Sequence, residues 1–232
     1  MSEPAFQLDL LDAPPAGPPG FVYRRDLISP ATEAELIAEI EKLELKEFEF
    51  HGYLGKRRVV SFGLHYDFAE RAVHRSEPIP DFLLPLRDKA AAFADLPPAA
   101  LEHALVIEYT PGAAIGWHRD RPIFGDVIGV SLASACRFRF RRLAPSPSMG
   151  EGRGGSALSA SRSLSGFEMA GSPPPNPPPS RGRASGWQRQ AVRLEPRSAY
   201  LLRGPVRDEW EHSIPPAEEL RYSITFRTVR SQ

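Results

Sequence analysis

Short segments rich in β-branched and aromatic residues recur in the second half of this chain, on both sides of residues 143–186, and they constrain its fold most. Strict alternation of apolar and polar residues at 138–141 and 222–227 is typical of strands buried on one face. Many short strands with turn residues between them favour an antiparallel sandwich or jelly roll. The predicted strands are 21–23, 59–62, 104–109, 127–132, 136–141, 191–194, 198–202 and 221–229.

Two helices are predicted ahead of most of these strands. The stretch 30–46 combines a capping box, Thr32 with Glu35, and apolar residues that recur at helical spacing. A second amphipathic stretch, 81–94, is stopped by Pro97. Helices followed by a run of antiparallel strands predict an α+β domain.

The segment 143–186 does not fit this pattern, because it consists largely of Ser, Gly, Pro and Arg. Such a segment cannot bury enough apolar surface to offset chain entropy, so we expect it to be disordered. It separates two strands that would otherwise form a hairpin, and long loop insertions cost little. The alternative is an arginine-containing arm that touches nucleic acid. Residues 1–20 are likewise expected to form a flexible arm, which leaves 21–232 as the domain.

Composition excludes several classes of protein. Lys plus Arg and Asp plus Glu both total 29, so bulk charge gives no argument for nucleic-acid binding, although a local basic face can still exist. Cys136 is the only cysteine, which excludes an intrachain disulfide and a Cys-rich zinc site. We expect its thiol to be a small buried apolar group. Because the chain shows neither a signal peptide nor an apolar run of about 18 residues, we expect a cytoplasmic protein without membrane contact. We also expect it to be a monomer.

A candidate metal site begins with His118 and Asp120. They are two residues apart, so on an extended segment both project to the same side and can reach one metal ion. His212 is the only histidine that follows them. Two histidines and a carboxylate are the ligand set of non-haem Fe(II) oxygenases. The spacing alone also fits a surface turn at 118–120 and a partly buried structural histidine at 212.

Two arginines of the last strand suggest an anionic ligand. Arg221 and Arg227 are six residues apart, so an extended strand places them on the same side. If that side faces the interior, the two guanidinium groups need anionic partners, and a dicarboxylate would pair with them. The alternative is a row of solvent-facing arginines on an edge strand.

The order His118-x-Asp120, His212 and Arg221-Tyr-Ser-Ile-Thr-Phe-Arg227 resembles the AlkB family of Fe(II)/2-oxoglutarate dioxygenases. The resemblance extends over most of the chain from about residue 50, apart from the 143–186 segment, and its most specific part is the Arg221–Arg227 ending. It implies an α+β fold whose core is a double-stranded β-helix (jelly roll), with the N-terminal helices packed on one side. It also implies that His118, Asp120 and His212 are at once the catalytic centre and the Fe(II) ligands.

The resemblance further assigns a cosubstrate site. Arg221 and Tyr109 would hold the distal carboxylate of 2-oxoglutarate, and Arg227 would lie near its keto-acid end. Ser223 belongs to the same site, but it stands where an asparagine is usual in the family. Ile107 replaces a second such asparagine. We therefore expect cosubstrate binding that is altered in detail.

The implied reaction uses Fe(II), 2-oxoglutarate and O2 to demethylate an N-alkylated base of DNA or RNA, releasing succinate, CO2 and formaldehyde. The base must be unpaired or flipped out and stacked on aromatic side chains. Phosphate contacts would come from basic side chains. Each candidate has a simpler reading as a core aromatic or a solvated basic face. Alternatives to the whole function are the same chemistry on a protein, or a non-catalytic binding module with this fold. The substrate-binding candidates are Tyr53, Phe62, Tyr66, Trp117, Lys56, Arg57 and Arg58.

Overall fold

The computed structural model describes residues 17–50, 53–67, 72–144 and 186–230. For 48–50, 53–55, 65–67 and 72–75 it describes the backbone without the side chains. The chain divides into two units, residues 1–142 with 189–232, and residues 143–188. Of the second unit only 143–144 and 186–188 are described. The predicted insert and most of the predicted N-terminal arm therefore lie outside the described residues.

Strands dominate the described part of the chain. The helices are α1 (Pro30–Ile40), α2 (Leu84–Phe93) and α3 (Pro205–Asp208). The strands are β1 (Phe21–Arg24), β2 (Lys46–Phe50), β3 (Tyr53–Phe62), β4 (Leu64–Asp67), β5 (Ala72–Arg75), β6 (His103–Tyr109), β7 (Ile115–His118), β8 (Phe124–Leu132), β9 (Cys136–Leu143), β10 (Trp187–Leu194), β11 (Ala199–Leu202), β12 (Glu211–Ile214) and β13 (Arg221–Val229).

Helix α1 begins at Pro30, as predicted, but it ends before its predicted C-terminus. The Ser29 hydroxyl accepts a hydrogen bond from the Thr32 amide at 3.1 Å, so Ser29 caps the helix and Thr32 lies within its first turn. Pro30 explains this start, because proline is favoured at the first helical position. The helix ends at Ile40 rather than near residue 46, and the chain from Lys46 forms strand β2, which pairs with β3.

Two larger sheets and one hairpin account for the strands. The first sheet has seven strands in the order β1-β11-β8-β13-β6-β3-β2, and the second has four in the order β10-β9-β12-β7. Strands β4 and β5 pair with each other. The antiparallel pairings between strands distant in sequence fit a jelly-roll core. Strands β9 and β10 are neighbours, as expected of the two arms of the predicted hairpin.

Two hydrophobic clusters lie on the two faces of the seven-stranded sheet. The first joins Leu36 and Leu86 of the helices to Ile224 and Phe226 of β13. The second joins Phe138 and other residues of the four-stranded sheet to inward residues of the larger sheet. Strand β13 is therefore buried on both faces, and the prediction of one-face burial for 222–227 is wrong. For 138–141 the prediction is confirmed, because Phe138 and Phe140 are buried and the arginines between and after them are partly exposed.

No helix in the described residues is long and apolar enough to cross a membrane.

Candidate active site

The two histidines of the predicted metal site lie side by side on neighbouring strands. His118 of β7 is paired in register with His212 of β12, and their ring centroids are 4.3 Å apart. The Gly116 carbonyl lies 2.9 Å from Nδ1 of His118. If Nδ1 carries the proton and donates to that carbonyl, Nε2 is free to bind a metal. His212 is buried beside Phe138.

Asp120 follows the end of β7 by two residues, and its carboxylate lies close to His212. Its Oδ2 lies 3.6 Å from Nε2 of His212. Its Oδ1 accepts hydrogen bonds from Nη2 and Nε of Arg227, at 2.9 and 3.1 Å. The structure thus brings together the three residues that the sequence proposed as iron ligands, and it adds a buried arginine behind the carboxylate.

The protonation states of these groups follow from burial and neighbouring charge. Burial, followed by repulsion from His118, lowers the pKa of His212 to about 3. Burial also lowers the pKa of His118. For Asp120 burial by itself would raise the pKa, but attraction to the Arg227 guanidinium above all outweighs it and holds the pKa well below its usual range. At neutral pH the cluster is two neutral imidazoles and one carboxylate, the forms in which these groups bind metals.

Two neutral imidazoles and a carboxylate are suitable ligands for Fe(II). The side chains of His118, Asp120 and His212 are nevertheless not arranged as a coordination shell. Among the described residues no group of three His, Cys, Asp or Glu side chains is arranged to hold a metal ion. The contacts of Asp120 with Arg227 give one reason, because they direct one carboxylate oxygen away from the histidines. We therefore expect small side-chain rotations of Asp120 and the histidines when a metal binds.

Arg221 marks the other end of the site. It is buried, with 1% of its surface exposed, and its guanidinium lies 5.0 Å over the ring of Tyr109, the residue opposite it on β6. Nε donates to the Ser131 hydroxyl at 3.2 Å. Nη1 and Nη2 are buried and have no hydrogen-bond partner among the described residues. A buried, unsatisfied cation is costly, so this group fits an anionic ligand such as a carboxylate.

Arg227 has a different environment from Arg221. Besides Asp120, its guanidinium contacts Nδ1 of His103 at 3.2 Å and lies 5.1 Å over the ring of Phe124. Both arginines face the interior, so the alternative of a solvent-facing row on an edge strand is wrong. The reason is the position of β13, which lies between β8 and β6 inside the seven-stranded sheet.

The two positions that depart from the family pattern are neighbours. Ser223 of β13 is opposite Ile107 of β6 and, on its other side, opposite Ser131 of β8. Ser223 and Ile107 are both buried. Between Arg221 and Arg227 the site therefore presents the hydroxyl groups of Ser223 and Ser131 and the apolar side chain of Ile107. The family resemblance predicts asparagine side chains at positions 223 and 107.

The basic run before Val59 is split by strand alternation. Arg57 is opposite Tyr109, and burial lowers its pKa. The exposed Arg58 donates two hydrogen bonds, at 2.7 and 2.8 Å, to the carboxylate of the buried Glu108. Lys56 is exposed. The structure thus directs Arg57 toward the site and Arg58 to the opposite face, where Glu108 engages it.

The two aromatic candidates with described side chains, Trp117 and Phe62, do not face the cluster of His118, Asp120 and His212. Trp117 lies 5.1 and 4.5 Å from the guanidinium carbons of Arg139 and Arg141, on the face of the four-stranded sheet opposite Phe138 and Phe140. Phe62 belongs to the hydrophobic cluster that includes Leu36 and Leu86 of the helices. It is therefore a core aromatic residue, which was the alternative to a role in substrate binding. The backbones of Tyr53 and Tyr66 lie in β3 and β4, and their side chains are outside the described residues.

Three buried polar residues near the site were missed from the sequence. His103 contacts Arg227, as described above. Arg207 donates through Nη2 to the carbonyl oxygens of Arg121 and Phe124, which fastens the loop after Asp120. Tyr200 packs in the cluster between the two sheets. Nothing in the local sequence separates these residues from ordinary core or surface positions, because their partners are distant along the chain.

A two-sheet antiparallel core that holds two histidines and one carboxylate defines the class of non-haem Fe(II) oxygenases. The family model described as the 2OG-Fe(II) oxygenase superfamily matches residues 20–227, and the chain belongs to this superfamily. It is an AlkB-like 2-oxoglutarate-dependent dioxygenase, and its cofactors are Fe(II), 2-oxoglutarate and O2. The resemblance drawn from the motifs is confirmed.

Relatives and solved structures agree with this placement. An alkylated DNA repair protein ALKBH8 homolog of Arabidopsis thaliana is 27% identical over 234 residues, which are 92% of this chain and 59% of that protein. The chain therefore spans 59% of the length of this relative. The structure of OsALKBH1 has a TM-score of 0.59 at 16% identity, covering 92% of this chain and 99% of the other. A prolyl-4-hydroxylase of Pseudomonas putida has a TM-score of 0.50 at 14% identity, covering 92% and 94%. Both structures support the fold.

Proposed function

We propose that this dioxygenase demethylates N-alkylated bases of DNA or RNA, with His118, Asp120 and His212 as the Fe(II) ligands. The observation that carries the proposal is the pairing of this cluster with Arg221, whose Nη atoms are buried without a partner among the described residues. Three potential metal ligands and a buried arginine with Nη atoms unpaired among the described residues face one interior. This combination fits a cosubstrate that has a metal-chelating end and a carboxylate end.

When bound, Fe(II) with 2-oxoglutarate and O2 supplies the oxidation that turns an N-methyl group into an N-hydroxymethyl group, with succinate and CO2 as coproducts. The hydroxymethyl product then loses formaldehyde and leaves the free base. In this scheme the chain holds and aims the reactants. Arg221 and Tyr109 bind the distal carboxylate, Arg227 keeps Asp120 ionised, and the apolar wall of Phe138 and Phe140 excludes water.

A nucleic-acid substrate is supported by the outer face of the four-stranded sheet. Alternation on β9 and β10 directs five arginines to this face, opposite the buried Phe138 and Leu194. Glu211 pairs with one of them at 2.6 Å, and Glu195 with another at 2.8 Å, so the face keeps an excess of positive charge although the chain as a whole is neutral. We name this set the arginine face: Arg137, Arg139, Arg141, Arg189 and Arg193.

The names of the relatives agree with this substrate class, since one is described as an alkylated DNA repair protein. Trp117 lies among the arginines of this face, between Arg139 and Arg141. In this proposal it helps to hold the polymer backbone rather than to stack on the target base. Monomeric state and cytoplasmic placement stay predictions.

Formaldehyde release tests the proposed substrate. Purified protein with Fe(II), 2-oxoglutarate and O2 is assayed with 1-methyladenine in single-stranded DNA, with the same lesion in RNA, and with methyl-lysine peptides. We expect release with at least one nucleic acid and none with an Asp120→Ala control. Release from peptides alone would move the same chemistry to a protein substrate. Absence of succinate with every substrate would favour the non-catalytic binding module.

A further inference from the structure

The side chain of Tyr200 extends across strand β8 toward the residues of β13 that share one face with Arg221 and Arg227, namely Ser223 and Thr225. It is opposite Gly129 on β8, and Gly129 is opposite Thr225 on β13. A Cβ atom built on Gly129 would lie 2.2 Å from Cζ and 2.4 Å from the hydroxyl oxygen of Tyr200. The phenol end of the side chain therefore occupies the space above Gly129, which a larger residue there would fill.

This space belongs to the interior that holds His118, Asp120 and His212. The Tyr200 ring is 4.9 Å from the ring of Phe138, and Phe138 is 5.3 Å from the ring of His212. Alternation places Thr225 on the same face of β13 as Arg221 and Arg227. The Tyr200 hydroxyl thus points toward the middle of the row whose ends are the two arginines.

The electrostatic environment of Tyr200 agrees with this position. Burial raises the pKa of the Tyr200 phenol, the negative charge of Asp120 raises it further, and the positive charges of Arg221 and Arg227 lower it. Burial above all keeps the phenol protonated at physiological pH, and it therefore remains a hydrogen-bond donor. Ile107, which lines the same row opposite Ser223, has no polar atom in its side chain.

We propose that Tyr200 is a cosubstrate-binding residue, whose hydroxyl donates a hydrogen bond to 2-oxoglutarate lying between Arg221 and the His118, Asp120 and His212 cluster. The proposal rests on the cosubstrate site proposed above and is independent of the identity of the methylated substrate. It also explains the departures from the family pattern. Ile107 and Ser223 have no amide group to donate a hydrogen bond, and the phenol of Tyr200 on strand β11 supplies a hydroxyl donor instead.

The test measures cosubstrate binding without turnover. 2-Oxoglutarate is titrated by calorimetry into anaerobic protein loaded with Mn(II), for wild type and for Tyr200→Phe. Removal of one neutral hydrogen bond should raise the Kd about 3- to 10-fold. Tyr222→Phe is the matched control, because Tyr222 is buried on the opposite face of β13. We expect it to leave the Kd within about twofold of wild type.

A second variant approaches the same contact from the backbone. Gly129→Ala places a methyl group where the phenol lies, so it should displace the hydroxyl and weaken binding at least as much as Tyr200→Phe. Circular dichroism confirms that each variant is folded. If Tyr200→Phe binds 2-oxoglutarate like wild type, the proposal is wrong.

Arg221→Met separates this failure from failure of the underlying site. Weaker binding in Arg221→Met together with unchanged binding in Tyr200→Phe would overturn the role of Tyr200 alone. Unchanged binding in both variants would overturn the cosubstrate site itself.

Discussion

Arg227 donates two hydrogen bonds to the same carboxylate oxygen, Oδ1 of Asp120, at 2.9 and 3.1 Å. The two residues are 107 positions apart in the chain, and both side chains are almost completely buried. The carboxylate thus has two roles, as an iron ligand in the proposed site and as the counter-ion of a buried arginine. Its two roles can be separated by mutation.

Asp120→Ala should lower the free energy of unfolding of the metal-free protein by about 3 kcal/mol, because it leaves Arg227 buried without its carboxylate. His118→Ala removes a neutral imidazole and should cost less. Both variants should lose 2-oxoglutarate turnover. Urea denaturation followed by circular dichroism measures the two free energies of unfolding. Equal destabilisation by the two variants would contradict the role of Asp120 as the counter-ion of Arg227.

Arg221→Met should separate stability from ligand binding. Its Nη atoms have no partner among the described residues, so replacement by an apolar side chain of similar length should leave the ligand-free protein at least as stable as wild type. Loss of a charge-assisted contact should raise the Kd for 2-oxoglutarate by on the order of 100-fold. A thermal melt with and without cosubstrate measures both effects. A large loss of stability without ligand would show that Arg221 has a structural role instead.

The metal-free protein should lose stability in mild acid because of His212. Its pKa is about 3 in the folded protein and about 6.5 in an unfolded chain. Between these values the unfolded state binds a proton that the folded state excludes, so the free energy of unfolding falls as the pH falls. One proton gives a slope of about 1.4 kcal/mol per pH unit, which disappears above about pH 6.5. In His212→Gln the slope measured by urea denaturation should decrease by that amount, and an unchanged slope would exclude His212 as its source.

The arginine face should bind nucleic acid through phosphates. Arg137→Glu combined with Arg189→Glu should weaken binding of a single-stranded oligonucleotide about 10-fold, and it should reduce the dependence of log K on log salt by about 1.4. Fluorescence anisotropy in an Asp120→Ala background measures binding without turnover. Arg24→Glu with Lys89→Glu, two exposed positions elsewhere on the chain, is the charge-matched control. Equal loss in both pairs would indicate a general effect of charge.

Deletion of 145–185 should leave turnover largely unchanged. The segment connects β9 to β10, and the flanking Ala144 amide donates to the Gly186 carbonyl at 3.0 Å. The ends are therefore close enough for a short turn to join them. Succinate formation by the shortened chain measures the effect, with the full chain as the control. Loss of activity or of folding would assign the segment a role beyond an insertion.

Much of the fold and the core of the site follow from local pattern. Alternation in 138–141 predicts the inward phenylalanines and outward arginines of β9, because neighbouring side chains on a strand point to opposite faces. The two-residue spacing of His118 and Asp120 predicts that both reach one site. Errors occurred where local signals conflict: the apolar spacing after residue 40 suggested continued helix, whereas pairing with β3 makes 46–50 a strand.

The sequence by itself determined the chemical groups, namely two histidines, a carboxylate and two arginines on one side of a strand. Only the tertiary structure decided how they are used. The position of β13 inside the sheet buries both arginines, register places Arg227 on Asp120, and the pairing of Tyr200 with Gly129 brings a phenol into the same interior. The physical reason is that side-chain alternation is a property of each strand alone, whereas burial and contact depend on which distant strands become neighbours.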